Sequence, residues 1–467
     1  MPGNTTVKTS GKSLPHSGRG KRRNPHVLLH RVFTNMILSV IIGIVACNSG
    51  TGGTLQAMVP PGTASAGRSG LTTVDQRGIA GQSKTIDQIR IITGFPMDTR
   101  VIQSFLGEIK EGASFSPEVL QEQLIRVEER LINTTWFDRV AIYSVPLKDR
   151  PEFVKVIIEM EAGFPYRFWG GPHYAGAGWE NIKGSGKSIG LELGYKHYYL
   201  SYTDHRWGPA GLFCQIALGS RYFPYTRHDG ARTGAQKKGG SVFLGYKPNP
   251  DLLAGIAAEI FTLSQPGYDE AGTFQIGGRL LFDERNNTFS PTSGRYAEAY
   301  AGYTAYTPQG AAPAAGGYML KVETRRYFPL RQDLCAAFRL QGVVQPAAIA
   351  HDALRFSLHG FQGMRAPFTE AMMAPVLLQA GGELRYRLLE SNFFGFVNLA
   401  VEPAVFVDLG LAGGDPGKTL TAPAFLGAAG LALRLHFGAP VFLPLRLEIG
   451  WNQEGAAEVF FGIQEIF

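Results

Sequence analysis

At 467 residues the chain has room for more than one domain; 18% of it is charged, Gly numbers 59 and aromatics reach 11%. That balance argues against disorder and against a long helical bundle, and fits many short strands joined by frequent turns. The formal charge of +7 belongs to a basic leader that includes Lys21-Arg22-Arg23; without it the chain is close to neutral, which argues against nucleic acid as a partner.

The leader, residues 1–47, opens on a basic, Gly/Ser/Pro-rich stretch and continues into an apolar run over residues 32–46. That run is short for a membrane-spanning helix and right for a signal-peptide core, so export across an inner membrane is expected. It ends in Ile44-Val45-Ala46-Cys47. Two readings stand: Cys47 is acylated as in a bacterial lipobox, or it is the last residue of an ordinary cleaved signal. Cys214 and Cys335 lie far from it and from each other, with no spacing that suggests a disulfide framework or a zinc site. No motif calls for a metal or any other cofactor. Residues 48–83 are Gly/Ser/Thr/Ala-rich with Pro60-Pro61 and read as a flexible linker.

Residues 84–163 form the next unit. Ile86 to Ile91 alternate like a strand, and Asp98 caps a short helix reaching about Leu106. Ser116-Pro117-Glu118 starts a second helix, with Leu120, Leu124, Val127 and Leu131 as one apolar stripe. Beyond Thr135 the period becomes two, through Phe137–Tyr143 and Val154–Glu159. The order β-α-α-β-β, with the joint Leu131-Ile132-Asn133-Thr134-Thr135-Trp136-Phe137-Asp138-Arg139-Val140, resembles a POTRA domain, the periplasmic module of outer-membrane insertases. Thr135 stands where that family usually has Gly.

From 164 to 467 helical periodicity disappears. Ile189, Leu191 and Leu193 alternate with Gly190, Glu192 and Gly194, and Leu431, Leu433 and Leu435 alternate with Ala432, Arg434 and His436. An apolar face backed by Gly, Glu and Arg suits a membrane barrel, with lipid outside and a polar lumen inside. Tyr198, Tyr199, Trp207, Tyr222, Phe223, Tyr327, Phe328 and Trp451 lie near strand ends, as interfacial girdles require. The expected fold is therefore an all-β transmembrane barrel of about sixteen antiparallel strands behind one small α+β domain. The first strand is placed at 166–179, the eleventh at 353–358, and a long loop at 359–376 follows it. Gly170, Gly171, Gly176 and Gly178 in the first strand would either loosen its pairing or mark ordinary bends.

Three segments carry a family resemblance. Leu281 to Gly294 is similar to the "D-x-R-(D/N)-N-x-x-x-P-x-x-G" segment of the BamA/TamA superfamily, Phe406-Val407-Asp408-Leu409-Gly410 to its "F-x-D-x-G" strand, and Phe461, Ile463 and Phe467 to its C-terminal barrel signal. The loop Gly363-Met364-Arg365-Ala366-Pro367-Phe368 resembles the "(V/I)-R-G-(F/Y)" loop, with Ala366 in place of Gly and the aromatic Phe368 displaced by one position. Independently of the family, a guanidinium cannot discharge, so folding Arg365 into a barrel requires carboxylates to receive it. Strand parity offers Glu383 and Asp408, on the lumen side with Gln379, Arg385, Arg387, Glu402 and Ala404.

The resemblance implies a protein of the cell outer membrane that assists insertion and assembly of outer-membrane proteins. Its partners would be the outer-membrane lipid bilayer, unfolded outer-membrane protein clients, and periplasmic or lipoprotein accessory subunits. A polypeptide or lipid translocator of the two-partner-secretion type is the alternative, and a passive porin the plainer one. A barrel enzyme is least expected, because His197, His205, His351 and His359 have no partner at a telling spacing.

Overall fold

The computed structural model describes residues 83–467 apart from 172–173, 209–210, 227–231, 268, 289, 310–313, 346–355, 357, 359–362, 367–373, 394–396, 414–423, 438–442 and 463–467. The leader with Cys47, most of the linker, and the expected residues Phe368, Ile463 and Phe467 lie outside the described residues.

The N-terminal unit forms as its periodicity predicts. Strand β1 (Lys84–Thr93) leads to helix α1 (Thr99–Leu106), whose cap Asp98 accepts from the Arg100 amide. After the two-residue β2 (Ser114–Phe115) comes α2 (Pro117–Asn133), with Pro in its first turn and Ser116 accepting from the Val119 amide at 3.3 Å. Leu120, Leu124, Val127 and Leu131 are its buried stripe, packed with Ile86, Ile102, Val156 and Ile158. Strands β3 (Phe137–Leu147) and β4 (Arg150–Ala162) complete a sheet of order β2-β1-β4-β3, β1 running parallel to β4. At the joint, Thr135 has φ of 66°. That left-handed conformation is free for Gly and costs other residues about 1–2 kcal/mol, and the Thr135 hydroxyl accepts a bond from Arg167 Nη2.

The rest of the chain is a closed antiparallel barrel. Its strands are β5 (Tyr166–Gly171), β6 (Tyr174–Trp179), β7 (Lys187–Gly194), β8 (His197–Trp207), β9 (Leu212–Thr226) and β10 (Arg232–Asn249). Then follow β11 (Leu252–Ser264), β12 (Ala271–Asp283), β13 (Gly294–Pro308), β14 (Ala315–Pro329) and β15 (Leu334–Val344). The last are β16 (Val376–Tyr386), β17 (Leu389–Phe393), β18 (Val397–Gly413), β19 (Ala424–Phe437), β20 (Leu443–Asn452) and β21 (Ala457–Gly462), with β21 beside β5. Both β16 and β17 pair with β18, Arg385 opposite Ala404 and Leu389 opposite Val401, so they are two stretches of one interrupted position. Among the described residues the wall thus has sixteen positions built from seventeen segments.

That total agrees with the expected sixteen through different strands. The expected first strand at 166–179 is instead the hairpin β5–β6, with Gly171 paired to Tyr174 and Tyr166 to Trp179. Phe356 and Leu358, the described residues of the expected strand 353–358, are not in a strand, so the long connection runs from Val344 to Val376.

The faces are those of a membrane barrel. Leu431 is 54% exposed on the outside, while Arg434 beside it on β19 is 1% exposed and lumenal. No helix among the described residues is long and apolar enough to cross a membrane. The aromatic girdle needs correction at three places, one of them Phe223, which packs against the buried Ala235, Phe261 and Leu263 while Tyr222 meets the exposed Tyr195. Tyr198 and Phe328 are exposed, but their neighbours Tyr199 and Tyr327 turn inward, Tyr327 to 3% exposure and Tyr199 beneath the Arg221 guanidinium. A period of two cannot send adjacent side chains to the same face.

Candidate functional site

Among the described residues Arg365 is, with Arg434 and Arg446, one of the three largest fully buried side chains, at 0% exposure. Its loop enters the lumen on an apolar footing: Leu358, Met364 and Ala366 pack with Val343, Leu377, Leu426 and Ala428. The Met364 amide donates to the Leu358 carbonyl at 2.5 Å and closes the tip. Glycines on the wall admit it. A Cβ on Gly450 would lie 1.5 Å from the Arg365 carbonyl oxygen, and one on Gly410 would lie 2.5 Å from Met364 Sδ. Gly363, the first expected motif residue, is buried at the entrance to this tip.

The guanidinium then meets three carboxylates. Nε and Nη2 donate to the two oxygens of Asp408 at 2.9 Å each, a bidentate fork, and the Arg365 backbone amide adds a third bond at 3.1 Å. Nη1 reaches Glu383 at 3.4 Å and Glu448 at 3.3 Å. The plane lies 3.6 Å over the Phe406 ring, a stacking geometry that a lysine could not reproduce. Arg434 pairs with Glu383 at 2.5 Å, Arg385 with Glu383 at 3.6 Å, and Arg446 with Glu448 at 3.4 Å. Strands β16, β18, β19 and β20 therefore converge on the loop tip through one buried ionic network. Such a network is specific more than it is stabilising, since desolvation offsets much of the Coulomb gain.

Glu383 and Asp408 lie where strand parity put them, as do Gln379, Arg385, Glu402 and Ala404, all 6% exposed or less. Arg387 sits at the β16–β17 interruption and pairs with Glu402 at 3.0 Å. The same Glu402 holds His436 Nε2 at 2.9 Å and Ser290 Oγ at 2.9 Å. Sequence reasoning missed Glu448 and Arg446. Their signal was available, because they alternate with Leu445, Leu447 and Ile449 on β20. Phe461 is 56% exposed on β21, on the outward face expected of it.

The segment from Asp283 to Gly294 is a self-braced turn. Asp283 forks Arg285 at 2.8 and 2.7 Å, and the Asn286 side chain accepts from the Thr292 and Ser293 amides. Gly294 has φ of 98°, and a Cβ there would lie 2.2 Å from the Glu284 carbonyl oxygen. The turn receives the N-terminal unit: Asn133 at the end of α2 donates to the Arg285 carbonyl at 2.9 Å and accepts from the Thr288 amide at 3.0 Å. One turn further back on α2, Arg130 forks Asp251 at 2.7 and 2.6 Å.

Fold and site together define a transmembrane β-barrel whose lumen is occupied by a loop pinned through an arginine. Residues 181–467 match the Omp85 superfamily domain. The chain belongs to the Omp85 superfamily, whose members are outer-membrane proteins. Among solved structures it is similar to CdiB from Escherichia coli, at 13% identity and TM-score 0.50, over 82% of this chain and 74% of that one. It is also similar to BamA from Haemophilus ducreyi lacking POTRA domains 1–3, at 16% identity and TM-score 0.45 over 81% and 83% of the two chains. CdiB from Acinetobacter baumannii gives 13% identity and TM-score 0.44 over 80% and 71%. No curated sequence matches the chain.

Proposed function

We propose that this protein assists the insertion and assembly of outer-membrane proteins, with residues 84–163 acting as a periplasmic POTRA domain and residues 164–467 as the barrel. The observation that carries the reading is the loop tip held at Arg365 by Asp408, Glu383 and Glu448. A lumen occupied by its own loop suits work done at the wall better than free passage through the middle. Two further features support it. Strand β3 is an edge of its four-stranded sheet, an unpaired row of backbone groups on which an extended client can add a strand. The strands that meet at the closure are β21 and β5, and β5 is only six residues long, so parting them breaks few hydrogen bonds.

The test is depletion of the protein followed by quantitation of the outer-membrane proteome. Loss of many barrel proteins is the expected outcome. Loss of a single secreted protein would replace assembly by a dedicated translocator of the two-partner-secretion type, and no loss would leave a porin.

A further inference from the structure

The inward face of β5 is tied through Trp169 across its own hairpin and through Arg167 to Glu180 and to Thr135 of the N-terminal unit. Trp169 stands opposite Gly176 on β6, and Gly176 stands opposite Glu192 on β7. The indole lies across this rung in a trough of glycines. A Cβ on Gly176 would come within 2.3 Å of the ring, on Gly178 within 3.0 Å and on Gly190 within 2.9 Å. At the far side of the trough Trp169 Nε1 donates to Glu192 Oε1 at 3.1 Å. Glu192 is itself fixed, by His197 Nε2 on β8 at 2.7 Å and by Arg221 on β9 at 3.6 Å. The other inward residue of β5, Arg167, pairs with Glu180 at 3.4 Å, and Ser188 on β7 donates to the same carboxylate at 2.6 Å. Trp169 reaches over β6 to β7, while Arg167 meets β7 only through the carboxylate it shares with Ser188.

These glycines therefore do not mark a loosely paired strand. They are the seat of an aromatic ring, which returns packing that glycine-rich strands otherwise lack. We propose that Trp169 is a positioning residue: it keeps β5 in register on β6 and β7 when the wall parts between β21 and β5, so that β5 presents its outer edge to an incoming strand. The proposal rests on the assembly reading for its last step. The staple does not, and can be measured without a client.

Backbone N–H groups of β6 alternate between bonding β5 and bonding β7. Hydrogen exchange of residues 174–179, in the full-length protein reconstituted in phospholipid vesicles, thus reports whether β5 stays in place. In the wild type, β6 is expected to exchange as slowly as β7 while β21 exchanges faster. In Trp169→Ala, exchange of β6 should rise about tenfold or more. Trp169→Phe keeps a ring in the trough and loses the bond to Glu192, so it should restore the protection only in part. Wild-type exchange of β6 in Trp169→Ala overturns the proposal. Should that variant fail to fold, Glu192→Ala removes the anchor and leaves the ring; unchanged β6 exchange there overturns the proposal equally. Lost β6 protection with undiminished client insertion would uphold the staple and overturn its role in presenting β5, whereas client insertion by neither the wild type nor the variant would sink the assembly reading.

Discussion

Arg365 exchanges hydration for three carboxylates and an aromatic face, so removing it leaves Asp408, Glu383 and Glu448 crowded with less compensation. Arg365→Ala should destabilise the barrel by about 3–5 kcal/mol, the range for breaking a buried pair. The measurement is the midpoint of the heat-induced mobility shift on electrophoresis, with Thr369→Ala as a loop control that leaves it unmoved. Arg365→Lys should not restore the midpoint, because an ammonium cannot make the fork to Asp408. Gly450→Ala tests the same site without touching a charge. Its Cβ would collide with the Arg365 carbonyl and should drive the tip out of its seat. Trypsin should then cut at Arg365 in Gly450→Ala and spare it in the wild type.

Among the elements, α2 has two occupations. Its apolar stripe closes the N-terminal core, and its last turns bind the barrel through Arg130 and Asn133. The Arg130–Asp251 pair is largely shielded, with side-chain exposures of 16% and 11%, so it resists screening by salt better than a surface pair. Arg130→Ala combined with Asn133→Ala should weaken docking by about 2–4 kcal/mol while leaving the fold of either part intact. Faster amide exchange at residues 284–288 and easier proteolytic release of residues 84–163 would be the signs of it. Unchanged exchange at that turn would mean that other contacts carry the docking. The turn itself supplies the physical content of the Asp283–Gly294 segment: a rigid loop whose backbone groups are aimed at one side chain of another unit.

For the molecule as a whole, the charge pattern is the reverse of a soluble protein. Leucines, isoleucines and aromatics face outward, and the buried charged residues Arg434, Arg446, Glu383 and Glu448 line the interior with the loop tip among them. A lumen narrowed in this way should conduct ions poorly in planar bilayers, and Arg365→Ala, which frees the tip, should conduct better. Equal conductance in the two proteins would show that the tip does not restrict the lumen.

Local pattern carried much of this architecture. Alternation named the barrel, the Ser116-Pro117 start and the Leu120–Leu131 stripe placed α2, and parity put Glu383 and Asp408 on the lumen side, since each rests on backbone geometry repeated every two or 3.6 residues. Thr135 was marked only by the family resemblance, which has Gly at that place, and its left-handed φ of 66° agrees with that mark. The partners were not readable. Glu448 lies far along the chain from Arg365, the Gly450 clearance and the Trp169 trough depend on how closed strands stack across the wall, and the Asn133 contacts depend on where α2 meets the Asp283–Gly294 turn. Which expected strand folds as a hairpin and which glycine receives a ring is a matter of register between strands, and register is settled when the barrel closes, by which side chains can share one rung.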